Sequence, residues 1–181
     1  MDEFFFDSYY KKINNKLIDV SSSSLIEAAL LIENIEKTSG KVILVGNGGS
    51  ASIASHVSID FTKAANIRSI NFNEASLLTC FANDYGYENW ASNALNFYAD
   101  SNDIAILISS SGQSKNIINA AEKAKNIGLP IITLSGFLES NPLRKMGDVN
   151  LWVNSSEYNI VESVHQIWLL SIVDYLISIK H

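Results

Sequence analysis

Runs of apolar residues alternate with helical patterns along most of this chain. The stretches VILV (residues 42–45), IAILIS (104–109) and IITLS (131–135) are almost continuously apolar and rich in β-branched residues. Such runs are typical of strands buried on both faces, as in a parallel sheet. With two further runs, the pattern predicts strands at residues 41–46, 67–72, 103–109, 130–135 and 149–153.

Helical periodicity occupies the intervals between these strands. Two helices are predicted before the first strand, and the second of them carries Leu25, Ala28, Ala29, Ile32 and Ile35 on one side. The predicted helices are residues 4–19, 22–38, 50–65, 74–82, 86–99, 114–127 and 160–179, with a short loop helix after the fourth strand. This alternation predicts an α/β fold, a doubly wound parallel sheet whose ligands bind at the carboxyl ends of the strands.

Composition narrows the classes of protein to consider. With 181 residues, 47% of them hydrophobic, we expect a single domain over residues 1–181, made of an N-terminal helical extension (1–39) and an αβα core (40–181). A net charge of -6 argues against direct nucleic-acid binding, and no apolar run is long enough to predict a membrane span. The single cysteine, Cys80, cannot form an internal disulfide, and the N-terminus lacks a signal-peptide pattern, so we expect a cytoplasmic location.

The first predicted strand ends in a glycine-rich loop, GNGGS (residues 46–50), directly before a helix of small residues. Glycines let the backbone turn sharply and approach a ligand, and a helix start offers unpaired N–H groups to an anion. The loop lacks the Gly-Lys-Ser/Thr ending of a P-loop and does not match G-x-G-x-x-G, so a nucleotide is disfavoured. An anionic sugar is the better expectation.

A second loop, ISSSGQS (residues 108–114), leaves the third predicted strand and enters a helix. Serine hydroxyls and free N–H groups can together surround a phosphate without a lysine. A helix N-cap explains one serine, but four serines around a glycine exceed that need. We therefore predict a phosphate-binding loop.

These motifs together resemble the SIS (sugar isomerase) domain family, and within it the phosphoheptose isomerases. The resemblance covers nearly the whole chain and rests on GNGGSASIASH, ANDYG, ISSSGQS, ITLSG and VESVHQ. It implies a flavodoxin-like three-layer αβα fold with a five-stranded parallel sheet, and a homotetramer with sites between subunits. The implied reaction interconverts sedoheptulose 7-phosphate and a heptose 7-phosphate for lipopolysaccharide or capsule synthesis.

The resemblance also assigns substrate-binding residues. Serine stands at position 110, where the family usually has threonine, and Glu162 is included because it stands at a substrate-contacting position. The expected contacts to the sugar phosphate are Asn47, Gly48, Gly49, Ser50, Asn83, Asp84, Ser109, Ser110, Ser111, Ser114 and Glu162.

The catalytic positions depart from the family pattern. The family has a histidine and a glutamate four residues apart on the helix after the first loop, which here are His56 and Asp60. That spacing puts both on one helix face. The family's final helix carries a glutamine and, eight residues later, a histidine, which here are Glu162 and Leu170. Leucine neither transfers a proton nor binds a metal, so that histidine's role is vacant.

Aldose–ketose isomerisation needs a base that moves a proton between two carbons, and an acid or cation that stabilises the enediolate oxygen. Asp60 and Glu162 are the candidate catalytic bases, and His165, three residues after Glu162, is a candidate acid or metal ligand. Many family members carry zinc. His56, Asp60 and Glu162 would supply one nitrogen and two carboxylates to such an ion, with one position open.

Three functions stay open from the sequence. The first is a phosphoheptose isomerase. The second is a non-catalytic phosphosugar-binding or replication-initiator-associating protein of the same fold, which Leu170 favours. The third is an isomerase for another phosphosugar with Glu162 as its base.

Overall fold

The computed structural model describes residues 4–180 and has the predicted α/β architecture. Its strands are β1 (Val42–Val45), β2 (Ser69–Asn71), β3 (Ile104–Ser109), β4 (Ile131–Ser135) and β5 (Val149–Trp152). Its helices are α1 (Phe5–Ile18), α2 (Ser22–Lys37), α3 (Gly49–Lys63), α4 (Ala75–Tyr85), α5 (Trp90–Tyr98), α6 (Lys115–Asn126) and α7 (Tyr158–Ser178), with a 3-10 turn at Leu143–Lys145. Residues 1–3 and 181 of the predicted domain lie outside the described residues.

Every element predicted from the sequence is present, and the differences lie at the ends. The prediction placed a helix over residues 86–99, whereas α4 continues to Tyr85 and α5 begins only at Trp90. Gly86, whose φ is +82°, ends α4 because this backbone conformation is outside the helical region.

The five strands form one parallel sheet in the order β2-β1-β3-β4-β5, with a helical layer on each face. Alternate residues of one strand point to opposite layers: Leu44 packs with α2, α3 and α7, whereas Ile43 and Val45 pack with α5 and α6. All four residues of β1 are buried. This confirms the three-layer αβα fold that the nearly continuous apolar strands predicted.

The strand order also fixes where a ligand can bind. From β1 the chain crosses to β2 on one side, and from β3 it crosses to β4 on the other, although β1 and β3 are neighbours. The loops that follow β1 and β3 therefore open side by side at the carboxyl edge of the sheet.

Helix α7 is the longest helix. Judged by length and composition alone, it is the one helix within residues 4–180 that could cross a membrane. Half of that stretch is buried inside the structure, and the helix packs against α1, α2 and α3. This burial is usual for a core helix of a globular domain.

Candidate functional site

The loops after β1 and β3 line a cleft of about 280 Å³, which the first turns of α7 complete. Every substrate-binding residue predicted from the sequence lines it, except Asn83 and Asp84. The lining residues are Asn47, Gly48, Gly49, Ser50, Ile108, Ser109, Ser110, Ser111, Ser114, Tyr158 and Glu162. We refer to it below as the serine cleft.

The serine loop is arranged for ligand contact and not only for helix capping. Ser114 is the N-cap of α6, yet in the described chain its side chain makes no capping hydrogen bond; its Oγ lies 3.0 Å from Ser109 Oγ instead. Ser111 Oγ accepts a hydrogen bond of 3.2 Å from the Gln113 backbone N–H. Ser111 and Ser114 thus line the cleft at the start of α6, where the unpaired N–H groups of a helix can bind an anion.

The loop after β4 holds the serine loop in place. Gly112 has φ +65°, and a Cβ at this position would overlap the side chain of Asn141. Asn141 is buried, and its Nδ2 donates to Ser135 Oγ and to the carbonyl of Gly136. The backbone N–H of Leu143 donates to the Gly112 carbonyl. The hydrogen bond from Leu143 and the contact with the Asn141 side chain thus fix the turn at Gly112.

Asn47, in the glycine-rich loop, is held by two other elements. Its amide pairs with that of Asn116 on α6 through two hydrogen bonds of 2.9 Å, and its Oδ1 also accepts from Tyr87 Oη at 3.0 Å. Both lone pairs of that oxygen are then used. Asn47 can therefore offer a ligand one amide N–H, but no side-chain acceptor.

Glu162 reaches from α7 into the space between the two loops. Its carboxylate lies against Gly49, where a Cβ would overlap it, and Ser110 Oγ donates to its Oε1 at 3.4 Å. Gly49 and Glu162 also line a second cleft, of about 430 Å³. Its other lining residues are Tyr9, Ser52, Ile53, Asn159, Ser163 and Gln166. Glu162 therefore stands where the serine cleft and this second cleft meet.

His56 and Asp60 meet on the surface of α3, as their spacing predicted. His56 Nε2 lies 3.3 Å from Asp60 Oδ2, and the Gln166 amide lies 2.6 Å from His56 Nδ1. Glu162 does not join them: among residues 4–180, no group of three His, Cys, Asp or Glu side chains is placed to hold a metal ion. The zinc set of His56, Asp60 and Glu162 is therefore not brought together among the described residues of one chain, and zinc binding stays a prediction.

The structure corrects the prediction for His165. This side chain is completely buried, its Nε2–H donates to the Ser135 carbonyl at 3.0 Å, and its ring lies beside that of Trp168. Burial lowers the pKa of His165 to about 4, although the hydrogen bond to Ser135 acts in the opposite direction. A neutral histidine inside the core cannot touch a sugar in the cleft, so its role is structural and not catalytic.

Three other positions lie away from the serine cleft. Asn83 Nδ2 donates to Asp84 Oδ1 at 2.9 Å, and both side chains are exposed on α4 without lining that cleft. Leu170 packs against the hydrophobic core. The sequence analysis did not identify Gln166. Its four-residue spacing from Glu162, which places both side chains on one face of a helix, could have indicated it.

Comparisons with known proteins agree with this geometry. The SIS domain model matches residues 6–136. The phosphoheptose isomerase of Helicobacter pylori (strain Shi470) is 36% identical over 143 residues, covering 75% of this chain and 73% of the relative. That of Cytophaga hutchinsonii is 33% identical over 149 residues, covering 79% of this chain and 78% of the relative.

Solved structures give the same fold. The phosphoheptose isomerase of Neisseria gonorrhoeae superposes with a TM-score of 0.88 at 23% identity, covering 97% of this chain and 98% of that chain. That of Francisella tularensis gives the same TM-score at 22% identity and the same coverage. The family match and the identity to its relatives lead to one conclusion: this chain belongs to the SIS domain family, among the relatives of the phosphoheptose isomerases.

Proposed function

We propose that this protein is a phosphoheptose isomerase that interconverts sedoheptulose 7-phosphate and D-glycero-D-heptose 7-phosphate. The observation that carries the proposal is the junction of a serine-lined anion cleft with the Glu162 carboxylate, in a chain 36% identical to a phosphoheptose isomerase. The heptose phosphate so formed would serve the synthesis of surface polysaccharides.

The phosphate is the group that the serine cleft suits. Among residues 4–180, those that line it include no lysine or arginine, so hydroxyls and backbone N–H groups must supply the contacts. Ser109, Ser111 and Ser114 surround the start of α6, whose dipole favours a negative charge at that end. A monoester dianion would lie there, with its carbon chain leading past Glu162.

Glu162 is the group we assign as the base. Its hydrogen-bond partner is the Ser110 hydroxyl and not a cationic side chain, so a lone pair is left to accept a carbon-bound proton. The base would remove a proton from C1 of the ketose while the C2 oxygen gains one. It would then return a proton to C2 as the C1 hydroxyl becomes the carbonyl.

His56 and Asp60 are assigned to the oxygen side of this reaction. His56 Nε2 lies 3.3 Å from Asp60 Oδ2, and this pair would supply the proton that the substrate oxygen gains, while Asp60 stays a second candidate base. Zinc stays a prediction and carries no step here, because its three predicted ligands do not come together within residues 4–180 of one chain.

A homotetramer and a cytoplasmic location stay predictions. An apolar face supports self-association: within the described chain α1 buries none of its residues, and Phe5, Phe6 and Tyr10 are exposed. Large exposed aromatic residues are enriched at subunit interfaces.

The test is to incubate the protein with sedoheptulose 7-phosphate and follow the aldose product by NMR, with fructose 6-phosphate as a comparison substrate. Turnover of the seven-carbon substrate is expected, and it should fall by at least about 10²-fold in Glu162→Gln. Tight binding without turnover would overturn the proposal and indicate the non-catalytic function that Leu170 suggested. Preferential turnover of fructose 6-phosphate would indicate another phosphosugar.

A further inference from the structure

The imidazole of His56 has a neighbour at each of its ring nitrogens. The Gln166 amide on α7 lies 2.6 Å from Nδ1, and Asp60 Oδ2 on α3 lies 3.3 Å from Nε2. The His56 side chain is otherwise half exposed, with 52% of its area accessible. Its orientation therefore depends on these two partners and not on packing.

The chemistry of the partners specifies where the proton lies. A neutral imidazole has one N–H donor and one acceptor nitrogen. Asp60, as a carboxylate, can only accept, so the nitrogen facing it must carry the proton. The Gln166 Nε2–H then donates to the bare Nδ1, and His56 is held as its Nε2–H tautomer.

Gln166 is also placed to matter for the substrate. It lies four residues after Glu162 on α7 and lines the second cleft, which shares Gly49 and Glu162 with the serine cleft. A seven-carbon chain whose phosphate occupies the serine cleft would continue past Glu162 into this space. One turn further along the same face, Leu170 offers no polar group and packs against the core.

We propose that Gln166 is a positioning residue: it fixes His56 as the Nε2–H tautomer, with that N–H held towards Asp60, and so keeps the His56–Asp60 pair in one arrangement beside the second cleft. This inference rests on the proposed isomerase function. Loss of the partner that holds a catalytic histidine in its working tautomer can lower activity by up to about 10⁴-fold.

The test compares wild type with Gln166→Leu and Gln166→Glu. The ¹⁵N chemical shifts of histidine ring nitrogens report the tautomer, and the chain has three histidines, so His56→Gln assigns the signals. At alkaline pH we expect the Nε2–H tautomer in wild type and a mixture in Gln166→Leu. Gln166→Glu should remove the preference for one neutral tautomer, because each ring nitrogen then faces a carboxylate, which can only accept. His165, buried and bonded to Ser135, should keep its signals and so report correct folding.

Kinetics complete the experiment. Gln166→Leu should lower kcat for sedoheptulose 7-phosphate by about tenfold or more, with KM changed less than twofold. The control, Asp174→Asn on an exposed part of α7, should change neither quantity. An Nδ1–H tautomer in wild type, an unchanged tautomer in Gln166→Leu, or unchanged kcat in that variant would each overturn the inference. Absence of turnover in wild type would instead overturn the proposed function, and the ¹⁵N shifts would still report on the Gln166 contact.

Discussion

The Glu162 carboxylate lies so close to Gly49 that a methyl group at residue 49 would overlap the carboxylate oxygens. The glycine-rich loop after β1 and the last helix of the fold therefore meet at one point. That contact determines where the candidate base stands relative to the serine loop.

Replacement of Gly49 by alanine should displace Glu162. We expect kcat to fall at least about tenfold because the base is displaced, with little change in the free energy of unfolding, since the end of the Glu162 side chain can move away from the new methyl group. Steady-state kinetics and urea unfolding measure the two quantities. Full activity in Gly49→Ala would contradict the geometry.

Glu162→Gln removes the base while it keeps the shape of the side chain. We expect kcat to fall by about 10² to 10⁴, the usual contribution of a positioned base, with substrate affinity nearly unchanged. Calorimetry with the sugar phosphate and an NMR assay of turnover separate the two effects. Asp60→Asn is the companion variant: a larger loss there than in Glu162→Gln would assign the base to Asp60.

Ser114→Ala removes one hydroxyl from the serine cleft. Because that hydroxyl does not cap α6, helix stability should change little. Affinity for a sugar phosphate should weaken by about 1 kcal/mol, or roughly fivefold, as for one lost hydrogen bond. Titration calorimetry with the phosphorylated and unphosphorylated sugar tests this, with Ser178→Ala at the exposed end of α7 as the control. Equal effects on both sugars would place the phosphate elsewhere.

His165 should make the fold sensitive to acid. Its pKa of about 4 in the folded chain lies below its usual value of about 6.5 in the unfolded chain. The unfolded state therefore binds a proton first, so the stabilising effect of burying a neutral ring is complete above pH 6.5 and declines as the pH falls towards 4.

Unfolding experiments at a series of pH values measure this decline. Between pH 6.5 and 4, wild type should lose roughly 3 kcal/mol more than His165→Leu, since the carboxylates common to both proteins cancel in the comparison. Parallel pH profiles for the two proteins would show that His165 is not held neutral.

The fold was predictable from local patterns because each element carries its own signal. Buried strands such as IAILIS are continuous apolar runs, and Gly128 follows directly after the end of α6. The two loops of the serine cleft were predictable for a related reason: parallel strands end at the same edge of a sheet, so loops that follow them meet there whatever their distance in sequence.

The orientation of α7 was harder to predict. Apolar residues occupy most of its circumference, so no polar stripe in the sequence shows which side faces the sheet. His165 was therefore placed with Glu162, whereas it points into the core beside Val164 and Trp168. Gln166, one residue later, points towards α3 instead. Only the packing of α7 against its neighbours separates these two adjacent residues.

The neighbouring positions of β1 and β3 have a consequence for evolutionary change. Backbone hydrogen bonds pair β1 with β3 and set the distance between these strands, as in any parallel sheet. The same pairing therefore sets the distance between the two loops that follow them. Substitutions in either loop can thus change which ligand is preferred, while the spacing of the two strands stays the same. A lineage built on this frame can exchange one phosphorylated substrate for another without redesigning the sheet.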